Sequence, residues 1–275
     1  MGERRRTKGG GDGVRYTVVV PTYKEVDNLR PLVERTMVAM EKDGKGKEVE
    51  IIVVDDNSQD GSDEVVESLR KEGHPVRIVV RVEDRGLSSA VLEGFDQGKG
   101  DLLLCMDADL QHPPEQVPAL FRAIDPAVAG SANYALGTRY GGGELSIDKD
   151  WPLHRRVISA GARLLAIGLT NLSDPMSGFF AVSRSLFHEH RGKINATGFK
   201  IAMEVYVKCG VRKHNEVPIK FGVRLAGESK LSSKVMIQYL VHLYELYTYK
   251  YGALLFVLLL SLVISFSYLL YSFYP

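Results

Sequence analysis

Cysteine is nearly absent from this chain of 275 residues: there are two, Cys105 and Cys209, and neither stands in a CxxC or other ligand-like spacing. That excludes a disulfide framework and a thiolate zinc site, and it fits buried thiols in a reducing compartment. Charge of one sign is not in excess either. Lys and Arg number 35 against 34 Asp and Glu, a formal net charge of +1, so the footprint of a nucleic-acid binder is missing and no such partner is expected. The G-x-G-x-x-G turn of a dinucleotide fold is missing after the first apolar run, Tyr16 to Val20, where Pro21-Thr22-Tyr23-Lys24-Glu25 stands instead. A nicotinamide enzyme drops out. The amino terminus, MGERRRTKGGGDG, has no apolar stretch and is neither a secretory signal nor a span. It reads as a disordered tail over residues 1–14, and Arg6 stands where a myristoylation motif needs Ser or Thr.

Long apolar runs are scarce, with one exception. From Ala253 to Tyr271 there is no charge at all, and at about 1.5 Å per residue the run covers roughly the 30 Å of a bilayer's hydrocarbon core. A transmembrane helix is expected over 253–271. The charged body precedes it and only Ser272 to Pro275 follow, so the positive-inside rule predicts a single-pass tail anchor with the body in the cytosol.

What is present is a patterned body. Hydrophobic content of 45% and charged content of 25% suffice for one sizeable core. Tyr16 to Val20 reads as a strand, and Asn28 as the cap of a helix carrying Leu29, Leu32, Val33, Met37 and Met40 on one face. Glu50 to Val54 reads as a second strand, running into Asp55-Asp56-Asn57-Ser58-Gln59-Asp60-Gly61-Ser62, with Ser62 capping a helix to Lys71. Val76 to Arg81 is a third, followed by a turn through Arg85-Gly86-Leu87 and a helix through Phe95. The alternation predicts an α/β, Rossmann-like fold, a mostly parallel sheet flanked by helices.

The fourth strand, Leu102 to Met106, ends in Asp107-Ala108-Asp109. Open α/β sheets place their ligands at the carboxyl ends of strands. Two carboxylates straddling a small residue there can turn toward one hard divalent cation, with Gln111 two residues on. A diphosphate is the natural partner of such a cation. The carboxylates Asp55 and Asp56, after the second strand, lie within reach of a base or ribose. Two later stretches, Leu153 to Leu172 and Ser232 to Lys250, read as amphipathic. The first either packs on the sheet or lies in a membrane interface. The second, with Val235, Tyr239, Leu243 and Leu246 on one face and the apolar run directly after it, is expected in the interface. His188-Glu189-His190 matches no common zinc spacing and reads as a solvated loop. The serines of Gly227-Glu228-Ser229-Lys230-Leu231 have no companion pattern for a catalytic triad.

Taken in order after successive strands, PTYKE, DDNSQDGS, the RGL turn and DADLQHPPE resemble the GT-A glycosyltransferases of the large inverting family 2. Further on, Gly137-Thr138-Arg139-Tyr140, Trp151 before Arg155 and Arg156, Asp174-Pro175-Met176-Ser177-Gly178-Phe179-Phe180, and VPIKFGVRLAGESKL are similar to the dolichyl-phosphate mannose synthases within that family. The resemblance runs from about Tyr16 to Leu231, and the carboxyl-terminal anchor matches the single-subunit form, for which no accessory subunit is expected. It implies a GT-A domain over 15–231, an interfacial helix over 232–252 and the anchor over 253–271. The activity implied is transfer of mannose from GDP-mannose to dolichyl phosphate at the endoplasmic reticulum membrane, with Mg2+ or Mn2+.

By position, Pro21, Tyr23, Glu25, Val53 and Asp55 would line the nucleotide pocket. Asp107, Ala108, Asp109 and Gln111 would hold the metal and diphosphate, with Asp107, Asp109 and Gln111 as metal ligands. Arg139, Arg224 and Lys230 would meet phosphate on donor or acceptor. The lipid acceptor would touch Arg139, Arg155, Ser177, Gly178, Phe179 and Lys230, and catalysis would rest on Asp107, Asp109 and Arg139. The sequence departs from the family's habit at Lys24, where Asn is usual, and at Leu87-Ser88-Ser89, where a second glycine is frequent. Two alternatives stay open: a glucosyl counterpart using UDP-glucose, and a membrane-anchored nucleotide-sugar binder without catalysis.

Overall fold

A computed structural model describes residues 13–140, 153–196, 198–222, 233–252, 257–258, 261–262 and 265. The expected tail, Trp151, the GESKL loop and most of the 253–271 run lie outside the described residues. The chain alternates β1 (Tyr16–Thr22), α1 (Val26–Lys42), β2 (Val49–Asp55), α2 (Ser62–Lys71), β3 (Val76–Val80), α3 (Leu87–Gln97) and β4 (Leu102–Cys105). It continues through α4 (Val117–Ile124), β5 (Tyr134–Thr138), α5 (Leu153–Ala166), β6 (Phe180–Ser183), α6 (Arg184–His190), α7 (Ile201–Lys208), β7 (Asn215–Pro218) and α8 (Ser233–Tyr251). One seven-stranded sheet runs β3-β2-β1-β4-β6-β5-β7. β6 is antiparallel to both β4 and β5; the other pairs are parallel.

Strand periodicity divides the core. Successive side chains leave a strand on opposite faces. Val18 and Val20, Ile51 and Val53, and Leu104 therefore pack with Leu29, Leu32, Val66 and Phe121 on one side. Val19, Ile52, Val54, Leu103 and Cys105 pack with Phe95, Phe180, Phe187 and Tyr206 on the other. Both faces are covered, which is why these strands read as continuous apolar runs. α3 comes close to the sheet at Gly94, where a Cβ would lie 2.3 Å from Val19 Cγ1.

Four local expectations are corrected. Asn28 lies inside α1 and donates from Nδ2 to Glu25 Oε2 at 2.7 Å. The capping acceptor is Asp60, whose two carboxylate oxygens take Val26 N at 3.3 Å and Ser62 N at 3.1 Å. One side chain thus serves the starts of two helices, and Ser62 is a helical residue that donates to it rather than the cap. His188-Glu189-His190 closes helix α6 and is not a loop.

The fourth correction concerns α8. Leu243 and Leu246 are buried, and Tyr239 donates its hydroxyl to Ala162 O at 2.7 Å. Tyr247 donates to Leu165 O, and Lys250 to Gly168 O and Leu169 O. His242, also buried, bonds through Nε2 to Glu204 Oε2 of α7 at 2.8 Å. The described part of the face expected to meet a membrane, Tyr239, Leu243 and Leu246, is therefore turned onto α5 and α7; the Val235 side chain lies outside the described residues. The exposed apolar residues are Met236, Ile237, Leu240, Val241 and Tyr244, with Leu164, Leu165 and Ile167 on and just after α5. Among the described residues no helix is long and apolar enough to cross a membrane.

Gly94→Ala should destabilise the fold by about 1–3 kcal/mol, since the added methyl would overlap Val19 and press on Val54, both in the core. Thermal unfolding should show the midpoint lowered by several degrees.

Candidate active site

Between β1 and β4 the strand order reverses direction, the place where an open sheet leaves a crevice at its carboxyl edge. The segments after β1, β2, β4 and β5 meet there, and they carry most of the residues singled out in the sequence. After β2, Asp55 is buried with both oxygens engaged by Ser58: Oδ2 takes its backbone N–H at 2.8 Å and Oδ1 its hydroxyl. Ser58 Oγ in turn accepts Lys24 N at 2.8 Å, which locks the β1 and β2 loops together. Lys24, Asn57 and Gln59 adopt φ of 57°, 55° and 52°, the left-handed region that ordinary side chains rarely hold without such a clamp. Tyr23 stands out from this base, partly exposed, with the Lys24 ammonium 5.5 Å from its ring centre. Asp56 accepts Gly86 N at 2.7 Å and an Arg81 N–H, and so fixes the turn before α3. Pro21 is buried at the end of β1, and Val53 lies wholly in the core. Val53 therefore supports the pocket from beneath.

The Asp107-Ala108-Asp109 turn is held from three sides. Asp109, buried, accepts Gln111 N on Oδ1 at 3.1 Å, an Asx turn that carries Leu110 to φ 62°. Gln111 Nε2 donates to Gly222 O at 3.2 Å, and Gly222 N returns a bond to Gln111 O at 3.0 Å. Asp107 donates its backbone N–H to His112 Nδ1 at 3.2 Å. His112 is itself stacked on buried Phe179, ring centres 5.1 Å apart. The Asp107 carboxylate remains 39% exposed. So one carboxylate faces the crevice while the turn beneath it is fixed.

Behind Asp107 runs the loop from Asp174 to Phe179. A Cβ on Gly178 would lie 3.3 and 3.4 Å from the two Asp107 carboxylate oxygens, so a larger residue would crowd them. Ser177 Oγ donates to Gly137 O at 2.7 Å, and Gly137 N donates to Phe179 O at 2.7 Å, fastening the loop to β5. Arg139, just after β5, forms a forked pair with Asp174: Nε to Oδ2 at 2.7 Å and NH2 to Oδ1 at 2.8 Å. Both are buried, and Phe221 lies 5.3 Å from the guanidinium. Burial opposes the charge on each. The mutual hydrogen bonds prevail, holding Asp174 below the usual carboxylate range and Arg139 above its own.

The structure thus brings Tyr23, Glu25, Asp55, Asp107, Ala108, Asp109, Gln111, Arg139, Ser177 and Gly178 to one edge of the sheet. Phe179 is buried beneath it. Arg224, Lys230 and the Arg155 side chain lie outside the described residues. Sequence reading missed the part of Asp174 as partner to Arg139, and it missed Lys200. The Lys200 ammonium donates to Met176 O at 3.0 Å, in the middle of the loop behind Asp107. Burial and the neighbouring Arg139 hold it below the ordinary lysine range, against the pull of Asp107 and Asp174. No spacing in the sequence ties Lys200 to Asp107.

Acidic turns at the carboxyl ends of parallel strands suit a diphosphate held through a hard cation. The model of glycosyl transferase family 2 matches residues 17–191, and the chain belongs to that family. Within it the chain is similar to the dolichol-phosphate mannosyltransferase of Mycosarcoma maydis, 52% identical over 255 residues, covering 90% of this chain and 85% of that protein. The dolichol-phosphate mannosyltransferase of Saccharomyces cerevisiae is 49% identical over 270 residues, covering 95% and 98%. In three dimensions the chain shares the fold of mannosyl-3-phosphoglycerate synthase from Rubrobacter xylanophilus, with a TM-score of 0.58 at 18% identity, covering 87% of this chain and 75% of that one.

Asp174→Ala should strand the buried Arg139 guanidinium and cost about 3–5 kcal/mol in urea unfolding. The folded-state carboxyl titrates below its unfolded value. The pair's contribution is therefore complete above the ordinary carboxylate range and is lost as pH falls through the lowered value. The difference between wild type and variant should persist from neutral pH down to that range and shrink only below it.

Proposed function

We propose that this chain transfers mannose from GDP-mannose to dolichyl phosphate, inverting the anomeric centre to give the β-linked lipid phosphate sugar. What carries the reading is the fixed Asp107-Ala108-Asp109 turn at the crevice, in a chain about half identical to dolichol-phosphate mannosyltransferases over nearly its whole length. Mg2+ or Mn2+ fits the residues present, because two carboxylates and an amide within five positions offer only hard donors. Asp107, Asp109 and Gln111 would hold it, and when bound it stabilises negative charge growing on the departing diphosphate.

The acceptor needs no base from the protein. A lipid monophosphate has a second pKa of about 6 and is largely dianionic at pH 7. Its oxygen attacks the anomeric carbon as the bond to the GDP oxygen breaks, and the electron pair leaves with GDP. The residues then have two tasks. The Asp55 and Tyr23 loops hold the nucleotide, and the Asp107 turn with the loop behind it holds the reacting groups in line.

The exposed apolar residues of α5 and α8 are the surface through which the body would rest on a bilayer. They continue toward the apolar run at 253–271, which serves in this reading as the anchor, with the body on the cytosolic face of the endoplasmic reticulum.

The test is incubation of the detergent-solubilised protein with dolichyl phosphate, Mg2+ or Mn2+, and radiolabelled GDP-mannose or UDP-glucose, counting label in the organic phase with and without chelator. Chelator-sensitive label from GDP-mannose alone is expected. Label from UDP-glucose would transfer the reading to the glucosyl reaction, and donor binding without lipid-soluble label would remove catalysis. Asp109→Asn keeps the acceptor for Gln111 N but loses the charge, and should lower turnover by at least about 10²-fold with an unchanged melting temperature.

A further inference from the structure

Two anions must meet in this crevice if the proposed reaction is right. The diphosphate of the donor lies against the Asp107 turn, and the dianionic phosphate of the acceptor must come within bonding distance of the same sugar. Arg139 is the cation the sequence points to for this purpose, but its fork is already closed on Asp174. The pair is neutral as a unit and buried.

Lys200 is placed differently. Its acceptor is the neutral carbonyl of Met176, at 3.0 Å, and among the described residues it forms no ion pair with a carboxylate. An ammonium has three N–H donors, and Met176 takes one. Met176 stands two residues after Asp174 and two before Gly178, whose Cα backs the Asp107 carboxylate. The bond to Met176 O thus holds the ammonium at the loop behind Asp107, where Asp107, Asp174 and Arg139 all act on its charge. A partly buried cation next to Arg139 is held at an electrostatic disadvantage, and an incoming dianion relieves it.

We propose that Lys200 meets the phosphate of the lipid acceptor and holds it beside the Asp107 turn. The proposal rests on the reading of the acceptor as a lipid monophosphate. Because Lys200 also ties the loop at Met176, a test must separate charge from tether. Lys200→Gln keeps an N–H donor directed toward Met176 O, on a side chain one bond shorter, and loses the charge; Lys200→Arg keeps the charge.

Both variants of the full chain are compared with wild type, measuring KM for dolichyl phosphate and for a short water-soluble polyprenyl monophosphate, together with Kd for GDP-mannose. Lys200→Gln should raise both acceptor KM values by about tenfold or more, leave GDP-mannose binding within about twofold, and be largely rescued in Lys200→Arg, as expected for loss of a charge-assisted hydrogen bond. An acceptor KM unchanged in Lys200→Gln would reduce Lys200 to a tether, and an equal weakening of GDP-mannose would move it to the donor. Both outcomes overturn the proposal. On the wild-type protein, the soluble acceptor should slow amine labelling of Lys200, read by mass spectrometry, and GDP-mannose alone should not; no protection by the acceptor also overturns it. If wild type makes no mannosyl lipid, the proposed function fails. If it does and Lys200→Gln matches it, only the role of Lys200 fails.

Discussion

A guanidinium and a carboxylate, both removed from water, set the frame of the site. The Arg139–Asp174 pair joins the end of β5 to the start of a loop that has no regular structure of its own. From that fixed point the order spreads by short-range bonds: Ser177 N to Asp174 O, Ser177 Oγ to Gly137 O, Phe179 N to Ser177 Oγ. Phe179 then stacks on His112, and His112 receives the backbone N–H of Asp107. Taking two charges out of water is expensive, and only a forked geometry with further hydrogen bonds recovers the cost. Arg139 supplies a third bond from its backbone N–H to Asp174 Oδ2 at 3.2 Å.

The two outer helices show a division of apolar surface that neither would have alone. α8 carries apolar residues on two sides, separated by polar positions such as Gln238 and Glu245. Here one side is buried on α5 and α7, while Met236, Ile237, Leu240 and Val241 are about half exposed on the other. A soluble monomer rarely leaves such residues contiguous without a partner. The inner side is bound by tyrosine hydroxyls donating to the carbonyls of Ala162 and Leu165.

The half of the fold preceding Asp107 was legible because β1, β2 and β4 are buried on both faces, the edge strand β3 is β-branched, and each run ends in turn chemistry. The runs at Tyr16, Val49, Val76 and Leu102 need no tertiary information to be seen as strands. The antiparallel strand β6 was hidden, since four apolar residues do not reveal their direction. Asn28 looked like a cap because the true acceptor, Asp60, is separated from α1 by a whole strand and belongs by sequence to another helix. The face of α8 was misjudged for a similar reason: a helix with apolar residues on both sides gives two equally good stripes, and only packing selects between them. The acidic turn could be found from residue types alone, whereas Asp174 and Lys200 are ordinary charged residues until the fold brings them behind it.

The bond between His242 and Glu204 has a mechanical meaning. It crosses from the middle of α8 to the middle of α7, both partners are shut off from water, and Glu204 Oε1 also accepts Asn195 N at 2.9 Å. A dry hydrogen bond at its centre, and the bonds of Tyr247 and Lys250 near its end, fix the orientation of α8 against α7 and α5. In the proposed reading, with α8 resting on a bilayer, this contact sets the height and heading of the crevice above that surface, and with them how far from it the reactive group of an acceptor must stand.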